Sequence, residues 1–154
     1  MNPAVLNRDG IAARIPHQGS MCLLEAVTGW SAEHIVCSAL SHTDPNNPLR
    51  AASRLGAANG IEYAAQAMAV HGALVAGAHA APRQGYLTSV RSVTLHVGRL
   101  DDLPGPLSVR AERVSGDANH VLYRFTLHHG ERCLLEGRAA VVLDADQLAT
   151  RTTP

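Results

Sequence analysis

Residues Gly60 to Ala78 make a helical run with almost no side chain that seeks water. A helix that is apolar on every side has to be enclosed by protein or by lipid, and in a chain of 154 residues that choice nearly settles the architecture. A bilayer span takes about 20 predominantly apolar residues. This run reaches that length only by counting Glu62, Gln66 and His71, and no second apolar run exists to give those polar groups partners. Residues Met1 to Gly10 carry neither a basic start followed by an apolar stretch nor a small-residue cleavage site, so no secretory signal is expected. The expectation is a cytoplasmic protein without membrane association, its helix sheathed by other parts of the fold.

Composition narrows the partners. Lys plus Arg equals Asp plus Glu at 13 each, so no overall field draws in nucleic acid or anionic lipid. Aromatic residues are 3% of the chain, which leaves few platforms for base stacking, and nucleic-acid binding is set aside. Cys22, Cys37 and Cys133 are far apart, odd in number and set in apolar stretches, as reduced core cysteines would be.

Leu23 to Trp30 and His34 to Leu40 read as strands of a hairpin joined through the polar Ser31-Ala32-Glu33. Thr43-Asp44-Pro45-Asn46-Asn47-Pro48 is dense in turn formers and ends the second strand. The helix follows from about Gly60 to Ala78, with Pro82 and Gly85 as stop signals. Beyond it the apolar period becomes two. Val93, Leu95 and Val97 alternate with Ser92, Thr94 and His96, and Val121, Tyr123, Phe125 and Leu127 alternate with Leu122, Arg124, Thr126 and His128. Leu107 to Val114 and Cys133 to Leu143 behave alike, which predicts a four-strand meander. One sheet encloses an apolar helix only by curling around it, and a second subunit closes the remaining gap. The reading is an α+β chain with the hot-dog fold: one domain over residues 1–154, with its core in 11–144 and a tail at 145–154.

Ile15-Pro16-His17-Gln18-Gly19-Ser20-Met21-Cys22-Leu23-Leu24-Glu25 resembles the leucine-proline-histidine opening and apolar strand of the bacterial 3-hydroxyacyl-acyl-carrier-protein dehydratases. Gln66-Ala67-Met68-Ala69 resembles their central-helix motif, in which an acidic residue precedes alanine, methionine and alanine. Ser41-His42-Thr43-Asp44-Pro45-Asn46-Asn47-Pro48-Leu49-Arg50, with Gly60 to Gln66, is similar to a divergent branch found with aryl-polyene and related polyketide pigment genes. The resemblance runs from Ile15 to about Leu143. It implies a hot-dog enzyme acting on thioesters carried by acyl carrier protein, in fatty-acid or polyketide synthesis, as a homodimer or paired with a second hot-dog subunit. It also implies that the family's histidine position falls near Arg50 to Ala52 and its acidic position on Gln66, so both usual groups are replaced.

Dehydration of a 3-hydroxyacyl thioester needs a base for the C2 proton, an acid for the departing hydroxyl, and donors that polarise the carbonyl. His42, at a strand end, and Glu62, in the first helical turn, are the base and acid candidates. Gln66 lies on the face of Glu62 and is placed to orient a substrate oxygen. Asn59, Gly60 and Ile61 lie at the helix start, whose N–H groups supply the oxyanion donors, and His17 lines the acyl tunnel. Each has a structural alternative. Asn59 and Glu62 match a capping box, Gln66 satisfies a buried amide by bridging to backbone across the dimer, His42 is a turn histidine, and His17 has a structural role, the reading preferred for it. His71 and His79 read as packed or capping residues, and the adjacent His128 and His129 face opposite sides of a strand.

No H-E-x-x-H pattern or Cys/His set with zinc spacing occurs, so no metal is expected. No cofactor is expected either, since the substrate arrives on the carrier's phosphopantetheine arm. Arg50, Arg54, Arg83 and Arg91 are the basic candidates for docking the acidic carrier. Two rival functions remain: a non-catalytic partner that completes another subunit's tunnel, and a hot-dog thioesterase in which Glu62 directs water.

Overall fold

Strict alternation decides which side of each strand meets the core. Val121, Tyr123, Phe125 and Leu127 are buried from one strand while Leu122 and Arg124 face out. The computed structural model describes residues 5–77, 85–117 and 119–143. In chain order it contains α1 (Arg8–Ala12), β1 (Ala26–Trp30), β2 (His34–Ala39), α2 (Gly60–Ala76), β3 (Gly85–Leu95), β4 (Leu107–Gly116), β5 (His120–His129) and β6 (Arg132–Leu143). Short 3-10 turns lie at Gly19–Met21, Ser41–Thr43 and Ala57–Asn59. The strands form one curled antiparallel sheet and α2 packs on it, as the hot-dog reading requires.

The strand order is β1-β2-β4-β5-β6-β3, which corrects the expected four-strand meander. Of the four strands after the helix only β4, β5 and β6 follow one another; β4 also pairs with β2, and β3 pairs with β6 on the far edge. Alternation fixes the face a side chain takes but carries nothing about which strand lies next door. The link from β2 to β3 crosses four strand spacings, about 19 Å, and it contains the 17-residue α2, about 25 Å long.

As an edge, β3 has only part of the buried apolar face expected of Val93, Leu95 and Val97: Val93 and, just beyond the strand, Val97 pack half-buried against the core. Leu95 is 46% exposed, and Tyr86 and Leu87 are open as well. Bulges between Leu87 and Ser89 and between Arg91 and Thr94 interrupt its pairing, and Ser92 sits at φ 55.

Helix α2 buries Gly60, Tyr63, Ala64, Gln66, Ala67, Met68, Val70 and His71. A second stripe, Glu62, Ala65, Ala69, Gly72 and Ala73, is only half covered. Gly60 seats the helix start on the sheet, since a Cβ there would lie 2.7 Å from Leu135 Cδ2 and 3.1 Å from Leu127 Cδ2. The helix stops at Gly77, whose φ of 89 suits a residue without Cβ and whose N–H reaches Ala73 O at 3.2 Å. It is thus shorter than expected. Ala78, His79 and Pro82 lie outside the described residues, and Gly85 already belongs to β3. Among the described residues no helix is long and apolar enough to cross a membrane.

Two buried histidines sit in this core as neutral rings. His71 Nε2 donates to Ser31 O at 2.8 Å, so its bare Nδ1 accepts from Tyr123 Oη at 2.8 Å. Burial pushes the Tyr123 hydroxyl up to about 12. His42 Nε2 donates to Leu103 O at 2.9 Å. Burial lowers both imidazoles from their ordinary 6.5. The unfolded chain therefore binds protons that the folded chain refuses, and stability falls as pH drops below about 6.5, by at most ~1.4 kcal/mol per pH unit for each ring. Urea midpoints measured between pH 7 and pH 5 should drop, and the double variant His42→Gln/His71→Gln should flatten the slope. An unchanged slope would assign the effect to other groups.

Candidate active site

The start of α2 is held by the segment before it. Leu55 N–H donates to Asp101 Oδ1 at 2.9 Å, Leu100 N–H to Leu55 O at 2.8 Å, and Ala57 N–H to Gly98 O at 3.1 Å. The Arg99 guanidinium beside Asp101 holds that carboxyl well below the usual carboxylate range. The chain then enters α2 through a 3-10 turn without a break. Asn59 has helical φ and ψ, and its side chain donates to Gly56 O at 3.1 Å. This overturns the capping box: an N-cap must stand in extended backbone with its side chain aimed at the next turn, and Asn59 does neither. Gly60 is also corrected as an oxyanion donor. Its N–H is taken by Ala57 O and Ala58 O, and Leu127 and Leu135 close over it. Ile61 is half-buried beside it.

Freed from capping, Glu62 faces His17. His17 Nε2 lies 3.5 Å from Glu62 Oε1, with both side chains partly open at 27% and 39% exposure. His17 Nδ1 is buried without a hydrogen-bond partner. The loop that carries His17 is short and tied down. Pro16 fixes its own φ, Ile15 is buried, and Gln18 Nε2 donates to Ala12 O at 2.7 Å and Ile15 O at 3.1 Å. Arg8 Nη2 reaches Gly19 O at 3.0 Å. A histidine and a carboxylate thus meet over the first turn of α2, where the helix dipole favours negative charge.

Gln66 is fully buried, and both ends of its amide are engaged by backbone. Its Oε1 accepts from Leu23 N–H at 2.9 Å and its Nε2 donates to Met21 O at 2.7 Å. Gln66 thus bridges to backbone within its own chain, not across a dimer as the structural alternative expected. Tyr63 completes the clamp. Asn47 Nδ2 donates to Tyr63 Oη at 2.9 Å, and Ser41 Oγ lies 2.8 Å from that oxygen. Ser41 gives its own proton to Leu23 O at 2.7 Å, so Tyr63 is the donor toward Ser41. The segment Met21–Leu23 is consequently gripped by side chains instead of strand partners, and β1 begins at Ala26, not at Leu23.

His42 stands elsewhere. It is 0% exposed, its Nδ1 is unpaired, and with His129, whose Nε2 reaches Pro104 O at 2.6 Å, it pins the loop before β4. Among the described residues no hydrogen bond or ion pair joins His42 to Glu62; the structure pairs Glu62 with His17 instead. Arg50 is drawn into the same loop, where its guanidinium donates to Ser53 O and His42 O at 3.3 Å each. Arg54 and Arg91 are exposed, and Arg83 lies outside the described residues. A cavity of about 180 Å³ lies at the opposite end of α2, lined by His71, Val75, Arg113, Val121, Tyr123 and Val141. It does not reach His17 or Glu62.

The family model for ApeP-like proteins, described as ApeP dehydratase, matches residues 10–151. The chain belongs to the ApeP-like dehydratase family. It is similar in fold to a chain of the dehydratase heterocomplex ApeI:P from Xenorhabdus doucetiae: 20% identity, TM-score 0.78, 94% of this chain and 97% of that one. A thioesterase from Haemophilus influenzae matches at 10% identity and TM-score 0.58, covering 79% of this chain and 78% of that one. A hypothetical thioesterase from Streptococcus pneumoniae, solved with coenzyme A, matches at 13% identity and TM-score 0.56, covering 77% and 84%. No curated protein matches the sequence. These likenesses agree with the hot-dog fold, and the family places the chain among dehydratase-like proteins.

Sequence reasoning missed Tyr63, Ser41 and Asn47 as a working unit. A signal was present, because a single hydroxyl on an otherwise alanine-rich buried helix must find a partner. Gln66→Leu should destabilise the fold by roughly 2–6 kcal/mol, since it strands two buried backbone groups at about 1–3 kcal/mol each. Urea denaturation measures this. Unchanged stability with a raised KM would instead return Gln66 to substrate binding.

Proposed function

We propose that the chain is one half of a hot-dog dehydratase pair that removes water from a 3-hydroxyacyl thioester presented by acyl carrier protein, in aryl-polyene-type synthesis. The observation that carries this reading is the His17–Glu62 pair, 3.5 Å apart at the partly open start of α2. In this reading neutral His17 takes the C2 proton, and the carboxyl form of Glu62 gives its proton to the C3 hydroxyl, which leaves as water. Passage of a proton from His17 to Glu62 then restores both groups, and the product is the conjugated enoyl thioester. No metal or prosthetic group enters this scheme.

A second subunit completes the site. The half-covered stripe on α2 and the open apolar residues of β3 are the surfaces such a partner would cover. The similar chain from Xenorhabdus doucetiae is part of a dehydratase heterocomplex, which supports a heteromeric pairing here. The non-catalytic reading is supported by the resemblance, which puts the family's histidine position near Arg50 to Ala52 and its acidic position on Gln66, an amide bonded to backbone.

An assay of water loss from a 3-hydroxyacyl carrier substrate, with the chain alone and with a hot-dog partner, separates these. His17→Ala or Glu62→Gln should lower kcat of the intact pair by about 10²-fold or more, whereas His42→Gln should change it little. Full activity in both His17 and Glu62 variants would assign the chemistry to the partner. Thioester cleavage without water loss would make the chain a thioesterase. Reversal of Arg54 and Arg91 to Glu should raise KM for the carrier, with the effect fading at high salt and kcat unchanged; an unaltered KM would remove these arginines from docking.

A further inference from the structure

The outer face of the sheet holds a second cluster that takes no part in the reading above. In a regular strand Cys133 and Glu136, three positions apart, would point to opposite faces. Here Leu127 pairs with Leu135 and His128 with Cys133, so Leu134 is an extra, unpaired residue in β6. That bulge puts both Leu134 and Leu135 in the core and turns Cys133 to the same outer face as Glu136. It also corrects the reading of Cys133 as a core residue; only Cys22 and Cys37 are buried.

His96, just beyond β3, is held at this place by its backbone N–H on Leu134 O at 2.8 Å. Its Nε2 lies 2.8 Å from Glu136 Oε2, and Cys133 Sγ lies 3.8 Å from that oxygen. The three ligand atoms all fall within 4.8 Å of one another. His128 stands directly across from Cys133, on the face opposite to that of its neighbour His129.

We propose that His96, Cys133 and Glu136, with water as the fourth ligand, form a binding site for a zinc-class divalent transition-metal ion. The donor set fits the chemistry: one thiolate, imidazole nitrogen and one carboxylate suit a borderline-soft ion that takes four ligands at about 2.0–2.3 Å. Around a tetrahedral ion such ligands stand roughly 3.2–3.8 Å apart, so the 2.8 Å His96–Glu136 contact would open by about half an ångström and the widest pair, within 4.8 Å, would close by up to about 1 Å. Binding releases the Cys133 thiol proton to solvent and forms the metal–sulfur bond in its place. The ion would tie the end of β3 to the β6 bulge, directly behind Leu135, the residue that seats Gly60 at the start of α2. Linear spacing hid this set, because His96 is brought to Cys133 only by the β3–β6 pairing.

The test uses the full, tag-free chain after treatment with a chelator. Titration with Co²⁺ should reveal one ion per chain and a thiolate-to-cobalt charge-transfer band, and Zn²⁺ should displace the cobalt and raise Tm. Cys133→Ser should abolish the band. His96→Ala and Glu136→Gln should each weaken binding by more than about tenfold, the loss that follows removal of even the outer partners of a metal site. Cobalt binding without the charge-transfer band, binding indifferent to Cys133→Ser and His96→Ala, or no binding at all would overturn the site.

Discussion

The arrangement depends on one amide. Gln66 projects from the middle of an apolar helix and satisfies both Met21 O and Leu23 N–H, a donor and an acceptor that no strand supplies. Beside it, Tyr63 links Asn47 to Ser41, and Ser41 holds Leu23 O. A buried backbone group without a partner costs free energy comparable to a lost hydrogen bond, so the helix and the segment before β1 cannot part cheaply. The polar residues that look out of place on α2 are the ones that fix its relation to the rest of the chain.

That fixed relation places the candidate chemistry. The segment gripped by Gln66 follows the His17 loop, and α2 carries Glu62 one turn before Gln66, so the same clamp that closes the core sets histidine over carboxylate. The opposite end of α2 has a different character: His71 and Tyr123 are hydrogen bonded to each other beside a cavity, with His71 pinned to the β1–β2 turn by Ser31 O. Between the two ends the half-covered stripe of alanine and glycine leaves α2 unfinished as a buried helix, which is the physical argument behind the proposed pairing with a second subunit.

Much of this was legible in the sequence. The alternation in Val121 to Leu127 and the apolar run from Gly60 gave the sheet, the helix and their mutual burial. Strand order was not legible, because alternation carries no neighbour information, and β3 went to the far edge. At the site, the residue types were visible but not their pairing. Glu62 and His17 were both candidates, yet Glu62 was matched with His42, since proximity in sequence to the turn-rich loop says nothing about burial. The capping box failed because a 3-10 turn runs straight into α2, leaving Asn59 in helical backbone. The Cys133 cluster was invisible because a single bulged residue, Leu134, decides which face Cys133 takes.

The central claim is that this chain contributes a proton-transfer pair at the start of its own central helix. A crystal structure of the chain with its hot-dog partner and a non-reactive 3-hydroxyacyl-pantetheine analogue tests it most directly. The account predicts the analogue's C2 and C3 positions against His17 and Glu62 of this chain, with Gln66 still on Met21 and Leu23. An analogue bound only to a histidine and an acid of the partner, with His17 and Glu62 out of reach, would contradict it.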